Sequence, residues 1–228
     1  MNKKITQKEI VDCIRRLKNN KAHGDDHVIN EYIKSTSDKM IELFNRIVET
    51  GIIPDSWLVI YIKHIYKNKG DKLAPKHFRP ITILICVSKL FMAILNERLN
   101  KFSDDFLILC YNQTGFRKGY STIDNLFIVH SFFEILKKKK KKIYCCFIDF
   151  DKVWRDGLWY KLLLNNINGN MHNVILNMYT DTKCCIVYNN VNPNFVYCNN
   201  GVREGENMPL YCLPYIWMIW SLSWEHVT

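Results

Sequence analysis

The stretch from Tyr144 to Lys152, YCCFIDFDK, sets the tightest limit on what this chain can fold into. Five mostly apolar residues lead into Asp149, and a second acid follows at Asp151. A short apolar run fits a buried strand, and its end then delivers a carboxylate to the rim of a cleft. A carboxylate in that position is a natural ligand for a hard divalent cation. The same acid can serve only as a cap or turn residue. The order of the surrounding segments separates the two readings.

The 228 residues suit one domain or one and a half, and 48% apolar residues suffice for a packed core. A formal net charge of +10 favours a polyanionic partner, nucleic acid first and an acidic membrane surface second. The nine cysteines include two adjacent pairs, Cys145-Cys146 and Cys184-Cys185, and no C-x-x-C spacing. Neighbours on a strand point to opposite faces, so neither pair makes a metal clip, and the seven histidines add no ligand spacing. The cysteines are read as buried, reduced thiols of an intracellular protein, nuclear or cytoplasmic. Met1 to Glu9 is polar and charged, unlike a signal peptide. Met208 to Trp224 is apolar but short for a membrane span and carries Pro209 and Pro214, so no membrane partner is expected.

Helical signals dominate the first half. Thr6 and Glu9 have capping-box spacing ahead of Ile10, Ile14 and Leu17, and this helix is expected to end near Asn19-Asn20. Asp38 to Thr50 carries an apolar stripe of Met40, Leu43, Phe44, Ile47 and Val48, with Gly51 past its end. Pro54 to Ser56 reads as a turn and Trp57 to Tyr66 as a strand, closed by the basic turn Lys67 to Asp71. Ile81 to Leu99 is a short apolar segment running into a helix with Leu90, Ile94, Leu95 and Leu99 inward. Ser121 to Lys139 is an amphipathic helix running into six lysines, Lys137 to Lys142, which form a solvated loop. Helices follow at Gly157 to Asn165 and Met171 to Thr180, then a strand pair at Lys183 to Asn189 and Asn194 to Cys198.

These blocks stand in a recognisable order: LKNNKAHGDD, ETGIIPDSW, YIKHIYKNKGD, HFRPITILICVSKLFMAILNERL, QTGFRKGYSTIDNLF, YCCFIDFDK and GVREGEN. Together they resemble the reverse transcriptase domain of non-LTR retrotransposons, over Ile5 to about Met208. The resemblance implies an α+β fold, a partial right-hand polymerase with fingers and palm, an incomplete palm sheet and no thumb. It divides the chain into a fingers-like region at 1–142, a partial palm at 143–208 and a divergent tail at 209–228. It implies an RNA template and a DNA primer as partners, and two Mg²⁺ ions that activate the primer hydroxyl and stabilise the leaving pyrophosphate.

By the same resemblance, Asp149 is the first metal-binding aspartate and Phe150 offers its backbone carbonyl to the ions. Arg79 resembles the arginine that grips the incoming triphosphate, its fork matching phosphate oxygens. Lys63 and Lys67 resemble the basic strand near the same phosphates. Arg117 and Lys118, between Gly115 and Gly119, match a loop beside template or primer. Gly201, Arg203 and Gly205 resemble the template grip, although Glu204 stands where the family usually has Gln.

Three departures bear on activity. The family pattern D-F-x-K-A-F-D-S-V-W-R loses four residues here, because Lys152 meets Val153-Trp154-Arg155 directly. The lost aromatic is the family's gate against ribonucleotides, and Trp154 offers a larger ring in its stead. No second Asp-Asp pair of the family's F/Y-A-D-D hairpin follows the Gly-rich motif. Beyond Met208 the resemblance stops, and 209–228 reads as out of frame: one base back, the codons of Trp217-Met218-Ile219 encode two aspartates. The expectation is therefore a reverse transcriptase fragment that is catalytically inactive in this chain. A non-enzymatic RNA- or DNA-binding remnant, or a translated pseudogene product with no role, remain as alternatives.

Overall fold

The computed structural model describes residues 1–109, 114–115, 117, 119–142, 144–145, 155–187 and 194–198. The fold is α+β. Six α-helices and two strands precede residue 142 among the described residues. They are α1 (Gln7–Arg15), α2 (Asn30–Ser35), α3 (Ser37–Thr50), α4 (Asp55–Leu58), β1 (Val59–Tyr66), β2 (Phe78–Ile83), α5 (Cys86–Asp105) and α6 (Thr122–Lys138). After them come α7 (Arg155–Leu164), α8 (Gly169–Tyr179), β3 (Lys183–Ile186) and β4 (Val196–Tyr197). None of the described helices is long and apolar enough to cross a membrane.

Helix α1 starts where the capping box places it. The Thr6 hydroxyl accepts from the Glu9 N–H at 3.3 Å, and the Glu9 carboxylate accepts from the Thr6 N–H at 2.8 Å. It ends at Arg15, a turn before the expected Asn19-Asn20. The amides of Arg16 and Leu17 bond three residues back, to Cys13 and Ile14, which tightens and closes the last turn. Helix α3 closes on Gly51, whose φ of 71° is the left-handed cap that glycine adopts without strain. The six-residue α2 has too few turns to show a period in sequence. Its Asn30 side chain donates to the Lys18 carbonyl at 2.8 Å, and Ile33 is buried.

Helix α5 is the centre of the molecule. Leu90, Phe91, Met92, Ile94, Leu95 and Leu99 are all buried, more than one face of a helix, as a helix packed on several sides requires. Phe44 of α3 and Trp57 of α4 meet Phe91 in a ring cluster with centroids 5.1 and 5.6 Å from Phe91. Trp57 begins no strand, contrary to the alternating pattern. Pro54 opens a single helical turn, the Trp57 N–H bonds the Pro54 carbonyl at 2.9 Å, and the indole turns inward to those rings. Leu158 and Leu162 of α7, and Met171, Val174, Ile175 and Met178 of α8, enter the same core. This core therefore draws residues from both sides of residue 142.

The sheet order is β2-β1-β3-β4. Strands β1 and β2 are antiparallel, β1 and β3 parallel, β3 and β4 antiparallel. A strand at Ile143 to Phe150 beside β3 was expected; most of it lies outside the described residues. Tyr144 and Cys145, which are described, are exposed and in no strand or helix. The strands flanking β3 are β1 and β4.

Two further expectations meet a different outcome. Cys184 and Cys198 form a disulfide, so the reading of all cysteines as free thiols is corrected for this pair. The antiparallel pairing of Cys184 with Val196 brings the next inward residue of the β4 segment, Cys198, against Cys184. Helix α6 has its expected cap, Ser121 with Asp124, but buries none of its residues. Ile123, Leu126, Phe127, Phe132 and Ile135 are each more than half exposed. Lys137 to Lys142 are exposed, as expected of a solvated run.

Candidate nucleic-acid and nucleotide interface

The hairpin of β1 and β2 carries three of the candidate cations. Its turn is braced from within: the Lys67 amide donates to the His77 carbonyl at 2.9 Å and the Tyr66 hydroxyl to the Gly70 carbonyl at 2.6 Å. The Lys67 ammonium donates to the Lys76 carbonyl at 3.1 Å, so this lysine ties the two arms together. Phe78 stacks obliquely on Tyr66, 5.4 Å between centroids, on one face of the hairpin.

The opposite face holds Lys63 and Arg79. Lys63 lies across from Ile81, and Ile65 across from Arg79. Alternation along a strand therefore puts Tyr61, Lys63, Ile65, Arg79, Ile81 and Ile83 on one face. Lys63 and Arg79 are exposed and form no ion pair among the described residues. Two strand pairings extend this face across the sheet. Val59 is aligned with Lys183, and Lys183 with Tyr197. The Lys183 ammonium sits 5.6 Å from the Tyr197 ring centre, and Phe195 meets Tyr61 edge-on at 6.3 Å.

A cavity of about 350 Å³ opens at the root of the face, lined by Gly24, Asp25, Asp26, Tyr61, Ile83 and Phe195 among others. Burial raises the Tyr61 phenol above its ordinary pKa, and its hydrogen bond to Asp25 adds to the shift. The Gly24 backbone presses on the junction between β2 and α5: a Cβ there would stand 2.8 Å from the Ile85 Cα. Close approach thus explains why the KAHGDD block carries glycine at this point.

Arg117, expected beside template or primer, is partly enclosed by its neighbours. Its side chain is 19% exposed, and the guanidinium lies 3.7 Å from an Asp104 oxygen and 4.9 Å from the Tyr120 ring centre. Asp149, Phe150, Lys118, Gly201, Arg203 and Gly205 lie outside the described residues. Among the described residues no group of three or more His, Cys, Asp or Glu side chains forms a metal site. Lys183, Phe195 and Tyr197 went unnoticed as site residues in sequence. Strand β4 is two residues long, and nothing short of its register reveals which face those side chains share.

One face of the described sheet thus carries Lys63, Arg79 and Lys183 together with Tyr61, Phe195 and Tyr197. Residues 65–213 match the reverse transcriptase (RNA-dependent DNA polymerase) family, and the chain belongs to that family. It is 34% identical over 171 residues to the probable RNA-directed DNA polymerase from transposon BS of Drosophila melanogaster, covering 70% of this chain and 18% of that protein. It is 32% identical over 164 residues to the probable RNA-directed DNA polymerase from transposon X-element of the same fly, covering 68% and 18%. The RNA-directed DNA polymerase from mobile element jockey of Drosophila funebris is 24% identical over 210 residues, covering 89% and 23%. The chain is thus a reverse transcriptase domain sequence of the non-LTR retrotransposon kind. It spans about a fifth of the length of these relatives.

Proposed function

We propose that this chain forms the fingers and part of the palm of a reverse transcriptase domain, that it contacts an RNA template, a DNA primer and the incoming triphosphate, and that it does not synthesise DNA itself. The observation that carries the binding half is the β1–β2 register, which sets Lys63 and Arg79 on one exposed face without ion-pair partners among the described residues. An arginine fork and a lysine point charge are complementary to the oxygens of a polyphosphate. Lys67 supports the hairpin and contributes charge beside it.

In the family reaction the primer hydroxyl attacks the nucleotide and pyrophosphate leaves, with divalent metal supplying charge stabilisation. Asp149 and the Phe150 carbonyl are the residues of this chain assigned to hold Mg²⁺. The inactive half rests on sequence: Lys152 runs directly into Val153-Trp154-Arg155, four residues short of the family pattern. Four residues of a helix turn it by about 40° beyond a full revolution. By the resemblance, the shortening removes the aromatic gate of the nucleotide pocket, in whose place Trp154 offers a larger ring. Primer extension by the chain as given, with Asp149→Ala as control, tests this. No extension is expected from either; incorporation that depends on Asp149 would overturn the inactive assignment.

A further inference from the structure

We infer that Phe195 and Tyr197, with Lys183 beside them, form a base-stacking platform for single-stranded nucleic acid at the β4 edge of the sheet. The inference rests on the nucleic-acid reading above and adds a site with its own chemistry. Phe195 and Tyr197 are alternate residues, so their rings leave the same face, about 7 Å apart along an extended chain. That spacing matches about two steps of stacked bases. Phe195 and Tyr197 are 51% and 59% exposed, so both side chains meet solvent. Both rings have a contact on the sheet: Phe195 leans edge-on against Tyr61, and the Tyr197 ring meets the Lys183 ammonium. Their ordering therefore costs a bound strand little entropy.

Charge selects the occupant. The Lys183 ammonium covers one face of the Tyr197 ring at 5.6 Å, so a base would stack on the other face with a cation at hand for its phosphate. Lys63 and Arg79 sit on the same face, with Arg79 roughly 24 Å away, three strand spacings across the sheet and six residues further along β1. Asp25 and Asp26, at the cavity beside Phe195, repel phosphate and accept from base amino groups. A base is thus favoured at Phe195 and backbone over the lysines. An apolar protein partner would have no use for cations interleaved with the rings, and every base has a π-face, so the platform is tolerant of sequence.

The test is fluorescence anisotropy with the full chain and two labelled 12-nucleotide strands, one oligothymidylate and one built of abasic sites. The wild-type chain should bind oligothymidylate about 10-fold or more tightly than the abasic strand, because stacking is lost while the phosphates remain. The Phe195→Leu, Tyr197→Leu double variant should lose that preference and bind both strands alike, and Tyr197→Trp should keep it. Equal binding of both strands by the wild-type chain would overturn the platform while leaving the nucleic-acid reading intact. No binding of either strand at low salt would overturn both.

Discussion

At the residue scale the tightest device in the fold is Arg98. Its guanidinium gives two bonds to the Glu9 carboxylate, at 2.6 and 3.0 Å, and others to the carbonyls of Met1, Lys3 and Lys4. One side chain on α5 thus fixes the N-terminal segment and the first turn of α1. Partial burial works to raise the Glu9 carboxyl, but the Arg98 and Thr6 bonds outweigh it and hold the pKa at about 2. Because the folded value is depressed, the stabilisation is complete above the ordinary value of 4.5 and is lost as pH falls through about 2. Allowing for solvent screening, it amounts to about 1–2 kcal/mol. Urea unfolding of Glu9→Gln should show that deficit at pH 7 and a shrinking one below pH 4, where the wild-type chain loses the same interaction. Arg98→Ala removes more, about 3 kcal/mol, since it strands a partly buried carboxylate. Gly24→Ala should also destabilise, by about 1–3 kcal/mol, because its Cβ would meet the Ile85 backbone rather than a movable side chain. An unchanged melting temperature would show that the loop can lift away.

At the element scale, two helices of similar apolar content stand in opposite settings. Leu95 in α5 is fully buried, whereas Leu126 and Phe127 in α6 are 68% and 69% exposed. Leu95→Ala should cost about 2–5 kcal/mol, from lost transfer energy and a cavity. Leu126→Lys with Phe127→Lys should change stability by less than about 1 kcal/mol, as expected of surface sites. Thermal melts of the two variants separate these cases, and a large loss in the α6 variant would mean that this helix is packed. The helices were legible in sequence because capping chemistry is local: Thr6 with Glu9, Ser121 with Asp124, and Gly51 each mark an end by neighbours within a turn. Trp57 was misread because alternation ran back through a proline-initiated turn whose indole answers to Phe44 and Phe91, residues far away in sequence. The Cys184–Cys198 bond was illegible for the same reason: it follows from strand register, which composition does not contain.

At the scale of the whole molecule, family membership was legible from the order of short blocks, and the family match over 65–213 agrees with it. The candidate site was legible in part. Arg79 and Lys63 were named from their blocks, but their common face needed the register of β1 and β2. Lys63→Ala with Arg79→Ala should weaken binding of a deoxynucleoside triphosphate about 10-fold or more by equilibrium dialysis, each phosphate contact being charge-assisted. Unaltered binding would move the triphosphate site elsewhere. The proposed function requires that a chain of net charge +10 keep the nucleic-acid grip of its family. The most direct measurement is filter binding of a primer–template duplex across a series of salt concentrations. The logarithm of the affinity should fall linearly with that of salt, with a slope set by the number of phosphates neutralised. Binding indifferent to salt, or no binding at the lowest salt, would contradict it.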